Sequence, residues 1–243
     1  SELTWLSQNG VELVKRSVLL GAISKDFFTI AIPGTHGKTT TSSIVAHLLH
    51  SAGKKCNAFL GGISINFNSN LVLTDGADIL VVEADEYDRS FLTLSPNIAL
   101  ITSMDADHLD VYGNANTMDE AYAEFAGCLK QNGQLITKPQ FKEHLDLRTD
   151  IDVLTYSVEQ EANFELDSTA VKEGTYEVSY QLKNEILHDV KVGLPGIHNV
   201  ENALGAAAIG HSLGLSNEQI KEGLSSYKGV KRRFERIIDT ANL

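Results

Sequence analysis

The chain reads as an α/β protein: a P-loop-type, mostly parallel sheet flanked by helices, with a small antiparallel β subregion. Three observations lead there. Up to residue 138, short continuous apolar runs alternate with segments of helical period, the order of a parallel sheet with crossover helices. Two of those runs, 77–85 and 97–108, end in acidic residues. From about residue 152 the runs alternate apolar and polar instead, as half-exposed antiparallel strands do.

The elements follow in order. Residues 1–26 read as a connector and a short amphipathic helix with Val14, Val18, Leu19 and Ala22 on its apolar face. FFTIAI, 27–32, is suited to a buried parallel strand. After a glycine loop, Ile44, Val45, Leu48 and Leu49 recur at helical spacing until Gly53 stops the helix. NAFLGG (57–62), ADILVVEAD (77–85) and NIALITSMDADH (97–108) are further strands. Met118, Ala121, Tyr122, Phe125 and Leu129 mark a helix over 117–131, and GQLITK a strand over 133–138. DVLTYSV, NFELDSTAV, TYEVSYQL and HDVKVGLPG, with turns at Gly174 and Asn184, read as antiparallel hairpins. Helices return at 198–213 and 217–226.

Bulk properties narrow the function. A chain of 243 residues has room for one large or two small domains. Its net charge of −12, 20 basic against 32 acidic side chains, speaks against nucleic acid or an anionic membrane as the main partner. An anionic small ligand remains open, because a nest of backbone N–H groups opposes the global charge locally. Cys56 and Cys128 form neither a disulfide framework nor a zinc-spacing pattern. Apolar stretches of membrane-spanning length and a secretion signal are lacking, so a cytoplasmic protein is the expectation.

The chemistry concentrates in three places. Gly34, Thr35, His36, Gly37, Lys38, Thr39 and Thr40 stand between a strand and a helix, the arrangement that binds nucleotide phosphates. There, glycines admit close backbone approach, Lys38 reaches the β- and γ-phosphates, and the Thr39 hydroxyl ligates Mg²⁺. The general pattern has a glycine where Ile32 stands, and a plain glycine turn with a solvated lysine is the alternative. Glu83 lies at a second strand end, with Asp85, Glu86 and Asp88 reading equally as a solvated acidic rim that also includes Asp110. At a third end, His108 reads equally as a ligand or as a polar cap or packing residue.

Five motifs in order, GTHGKTT (34–40), EADEYD (83–88), MDADHLDVYG (104–113), PGIHNVENALGAAA (195–208) and GVKRRFE (229–235), resemble the central ATPase domain of the Mur ligases, which build the peptide of bacterial cell-wall precursors. The resemblance implies ATP and Mg²⁺ as cofactors and an ADP-forming ligation. The histidine in the loop, the EADE and RRF forms and the compact spacing before DADH look most like the branch that joins L-alanine to UDP-N-acetylmuramate. Alternatives are the branch that recycles a tripeptide onto the same muramate, a folylpolyglutamate-type synthetase, or a nucleotide-binding module without chemistry. Residues 27–235 would be the central domain, 1–26 a connector from a UDP-sugar domain, and 236–243 the start of a linker to a C-terminal domain.

Carried over residue by residue, the resemblance implies that Lys38 and the 34–40 backbone hold phosphates, with Thr39 and Glu83 as metal ligands. His108 would serve a second Mg²⁺, Asn199 and Asn202 would face the adenine, and Arg233 would act near the phosphates. Asn199 and Asn202 also suit the first turn of a helix. Two departures stand out. Several Mur ligases resemble one another in a carbamylated lysine after the DH motif, whereas here no lysine occurs between Gly113 and Cys128, leaving Glu120 and Glu124 as candidate substitutes. Pro33 replaces the usual small residue before the loop and should stiffen it.

Overall fold

A computed structural model describes residues 2–105, 115–172 and 174–233. At its centre, β1 (Phe28–Ile32) pairs in parallel with β4 (Ile79–Glu83) on one side and β5 (Ile98–Leu100) on the other. Beyond β4 come β2 (Cys56–Ser64), parallel, and β3 (Ser69–Val72), antiparallel at the edge. Beyond β5 come β6 (Gln134–Thr137) and β7 (Asp152–Ser157), both parallel. β8 (Phe164–Lys172), β9 (Thr175–Leu182) and β10 (Glu185–Val192) complete one ten-stranded sheet in the order β10-β9-β8-β7-β6-β5-β1-β4-β2-β3.

Helices cover both faces, which is why the central strands read as unbroken apolar runs. On β1, Ile30 and Ile32 face one core and Ala31 the other, as a period of two requires. The first core lies under α3 (Lys38–Ser51), α6 (Ile197–Ser212) and α7 (Asn217–Ser225). The second lies under α4 (Ala115–Gly127) and a 3₁₀ segment (Tyr87–Thr93), where Phe91 stacks on Phe125 with ring centroids 4.9 Å apart. A short helix, α5 (Pro139–Lys142), follows β6, while α1 (Glu2–Gln8) and α2 (Arg16–Asp26) precede β1. Among the described residues no helix is long and apolar enough to cross a membrane.

Two local expectations change, and one edge strand had no expectation at all. Residues 152–157 are not part of a hairpin: β7 pairs in parallel with β6 (Gln134↔Asp152) and touches β8 in parallel too. Its alternation records partial burial away from the sheet centre rather than strand direction, and within 152–192 the antiparallel pairings are those among β8, β9 and β10. Edge strand β3, SNLV, is too short and polar to show a period. In α2, Val18, Leu19 and Ala22 point outward, as does Val14 ahead of it. The helix docks instead through Gly21 and Ser24, because close backbone approach needs small residues: a Cβ on Gly21 would stand 2.4 Å from the Thr93 carbonyl oxygen.

Candidate functional site

The carboxyl ends of β1, β4 and β5 lie side by side, and ligands of open parallel sheets gather at such ends. From β1 the chain passes Pro33 and enters the glycine loop, with Gly37 as the residue before α3 at φ 84°. The first turn of α3 directs backbone N–H groups and the positive end of its dipole toward the loop. The prolongation of β5 forms the loop's floor: Thr102 N–H donates to the Pro33 carbonyl (3.0 Å), and His36 N–H donates to Ser103 Oγ (2.7 Å). A Cβ on Gly34 would strike Thr102 Oγ1 at 2.0 Å, and one on Gly37 would meet Asn202 Oδ1 at 2.6 Å. Both glycines are therefore required by packing as well as by their positive φ.

The candidate phosphate and metal residues come together at this loop. Thr39 Oγ1 donates to Glu83 Oε1 at 2.9 Å, joining the start of α3 to the end of β4. Gly61 N–H donates to the other carboxylate oxygen at 2.8 Å, and a Cβ on Gly61 would lie 2.3 Å from both oxygens. Glycine on β2 is thus what lets Glu83 reach Thr39. Hydroxyl and carboxylate are hard oxygen donors of the kind Mg²⁺ prefers, with remaining positions left to phosphate and water. Among the described residues there is no cluster of three His, Cys, Asp or Glu able to hold a metal.

Arg233 arrives from the far end of the chain. A strap over 229–233 is stitched to β2 by hydrogen bonds from Ile65 N–H to Gly229 O and from Lys231 N–H to Ile63 O, each 2.9 Å. A cavity of about 410 Å³ is lined by Thr35, Lys38, Thr39, Glu83, Asp85 and Arg233, among others. A second, of about 620 Å³, shares His36, Gly37 and Arg233 with it and continues to Thr40, Asn199 and Asn202. Asn202 Oδ1 accepts from Thr41 Oγ1 (3.2 Å), Asn202 Nδ2 donates to Asn199 Oδ1 (3.3 Å), and Asn199 Nδ2 donates to the Pro195 carbonyl (2.6 Å). The two amides hold the start of α6 against α3 and also line the larger cavity.

Sequence reasoning missed several residues. Glu86, read as part of a solvated acidic rim, is fully buried and pairs with Lys38. Thr102 and Ser103 show no motif of their own, and Lys138 pairs with Glu201 at 2.7 Å beside the larger cavity. Burial, then the Glu201 charge, raises the neighbouring Tyr156 phenol well above its ordinary pKa, so it stays a neutral donor to Ile101 O. Of the two candidate lysine substitutes, Glu124 is paired with Arg89 and Glu120 is exposed. His108 and Asp110 lie outside the described residues.

Comparison with known proteins matches this architecture. Residues 32–210 match the family described as the Mur ligase middle domain. The chain is 42% identical over 241 residues to UDP-N-acetylmuramate–L-alanine ligase of Porphyromonas gingivalis, covering 99% of this chain and 53% of that protein. The crystal structure of UDP-N-acetylmuramate-alanine ligase from Thermotoga maritima superposes with a TM-score of 0.83 at 27% identity, covering 99% of this chain and 54% of that one. The UDP-N-acetylmuramate:L-alanyl-gamma-D-glutamyl-meso-diaminopimelate ligase of Neisseria meningitides shares the fold, with a TM-score of 0.81 at 24% identity over 95% of this chain and 75% of that one. The chain spans about half the length of the curated relatives it matches. It belongs to the Mur ligase family, through that family's middle domain.

Proposed function

We propose that this chain is the nucleotide-binding portion of an ADP-forming ligase that joins L-alanine to UDP-N-acetylmuramate during peptidoglycan precursor synthesis in the bacterial cytoplasm. Residues 27–235 form its central domain, residues 1–26 connect from a UDP-sugar domain, and residues 236–243 lead into a C-terminal domain. One observation carries the reading: Thr39 and Glu83, from different elements, meet at 2.9 Å beside Lys38 on a cavity that Arg233 also lines.

A carboxylate is a poor acyl donor. Transfer of the γ-phosphoryl group of ATP to the muramate carboxylate releases ADP and leaves an acyl phosphate. The amine of alanine then attacks the acyl carbon, loses a proton, and phosphate departs as the amide forms. No enzymic nucleophile is needed, so this chain's task is positioning and electrostatics. Lys38 and the N–H groups over 34–40 hold the β- and γ-phosphates. Arg233 offsets charge on the transferring oxygens, and Asn199 and Asn202 present amides that both donate and accept along an adenine edge. Thr39 and Glu83 would hold one Mg²⁺ and His108 a second, and that metal, when bound, supplies further neutralisation of phosphate charge.

The test uses the protein at the full length of its relatives, with ATP, UDP-N-acetylmuramate and either L-alanine or the tripeptide. Phosphate release that depends on L-alanine is the expected result. Dependence on the tripeptide alone would replace this reading with the recycling ligase. Nucleotide binding with neither release would leave a binding module. The 243-residue chain is expected to bind ATP without ligating, and alanine-dependent phosphate release by it alone would overturn the proposed division of labour.

A further inference from the structure

The Lys38 ammonium does not stand alone at the wall of the phosphate cavity. Both carboxylate oxygens of Glu86 lie 2.8 Å from Lys38 Nζ. The Glu86 side chain has 0% exposure and that of Lys38 14%, so the pair is shielded from water on the glutamate side and borders the cavity on the lysine side. Glu86 sits on a hydrogen-bonded support. Its carbonyl accepts from Arg89 N–H and the Asp85 carbonyl from Phe91 N–H, each at 3.0 Å. Phe91 is in turn clamped in the second core against Phe125 and Tyr122.

Breaking a buried ion pair is costly, so the contact with Glu86 restrains Lys38 from swinging wholly to a phosphate. An ammonium has three N–H donors. One is donated to Glu86 Oε1, with Oε2 held in ion-pair contact, which leaves donor capacity for an oxygen on the cavity side. We propose that Glu86 is a positioning residue for the nucleotide reaction: it tethers Lys38 so that one donor faces the terminal phosphates, and it offsets part of the lysine charge in the ground state. The inference rests on the ATP-ligase reading above and assigns a role within that site. Electrostatically, the offset moderates attraction for bound ATP, while the tether keeps the donor in place as charge moves during transfer. That is a differential effect on the transition state rather than on binding.

The experiment is a double-mutant cycle of Glu86→Gln and Lys38→Met in the protein at the full length of its relatives. The readouts are kcat, KM for ATP, calorimetric affinity for a non-hydrolysable ATP analogue, and the thermal midpoint. Glu86→Gln is expected to lower kcat by about 10- to 100-fold, the scale of a displaced catalytic donor, with KM and analogue affinity unchanged or tighter. In the Lys38→Met background the same substitution should change kcat by less than about twofold. Should the glutamine variant not fold, Glu86→Asp keeps the charge, shortens the reach and should show the same kcat loss. Unchanged kcat in Glu86→Gln would overturn the proposal. So would an equal loss in both backgrounds, or a rise in KM with kcat intact. Absence of ATP binding by the unsubstituted protein would instead remove the ligase reading itself.

Discussion

The two wings of the sheet differ in what their strand ends carry. In the parallel wing, β4, β1 and β5 deliver their carboxyl ends to one edge, and Glu83, the glycine loop and Thr102–Ser103 meet there. In the antiparallel wing, β8 to β10 send alternate ends in opposite directions, and their inward residues Phe164, Val178, Tyr180, Leu182 and Leu187 are spent on core packing. Parallel strands concentrate chemistry, and antiparallel strands disperse it. The second wing still supports the site: the buried Tyr180 hydroxyl donates to the Val200 carbonyl at 2.8 Å, bracing the helix that carries Asn199 and Asn202.

The contrast breaks most visibly under a large cut in the second wing. Phe164→Ala should cost about 3–5 kcal/mol of unfolding free energy by denaturant titration, the usual range for a buried phenylalanine. Nucleotide affinity of the folded fraction should stay within about twofold, since Phe164 lines neither cavity. A parallel loss of affinity would mean that the wings are energetically one unit. Next in size, Lys38→Ala should weaken ATP binding by about 10- to 150-fold, or 1.5–3 kcal/mol for a charged hydrogen bond, read by calorimetry. Unchanged affinity would remove Lys38 from the site and with it the parallel wing's special status.

A smaller effect separates the loop end of α3 from its far end. His47 packs against Phe67 and Tyr227, and burial, followed by the charges of His50 and Lys228, lowers its pKa from 6.5 to about 4. The unfolded chain therefore binds a proton that the folded chain refuses across that interval. This contribution is intact above about pH 6.5 and is lost as pH falls through about 4. Discounted for the ring's partial exposure, the loss is about 1 kcal/mol, and His47→Gln should remove it from the pH profile of stability. Identical profiles for the two proteins would refute the depressed pKa. Smallest of all, Val171→Thr on the outward face of β8 should shift unfolding by no more than about 0.5 kcal/mol, because that side chain is 62% exposed. A larger change in the thermal midpoint would show that this face is covered.

Much of the grouping of residues at the candidate site was legible because its signals are local. A strand, a glycine pair and a lysine stand within a dozen residues, and Glu83 closes an unmistakable apolar run. Glu86 was not legible: three residues beyond Glu83 in an acidic stretch, nothing local distinguishes a carboxylate that turns inward from its solvated neighbours. The α2 face failed for the opposite reason. Its apolar period is real, but a period reports which residues could be covered, whereas Gly21 and Ser24 make the contact because Thr93 approaches the backbone so closely.

By itself the order of residues determined the element types, the alternation that makes a parallel sheet, and the family motifs, since each depends on neighbours a few positions apart along the chain. Tertiary structure alone decided that β7 runs parallel and that Glu86 holds Lys38, and it supplied the cavity that Arg233 shares with that lysine from nearly two hundred residues away. Those outcomes depend on which segments lie side by side in space. Pairing of that kind is settled by the burial and hydrogen bonding of the whole sheet, and no single stretch of chain encodes it.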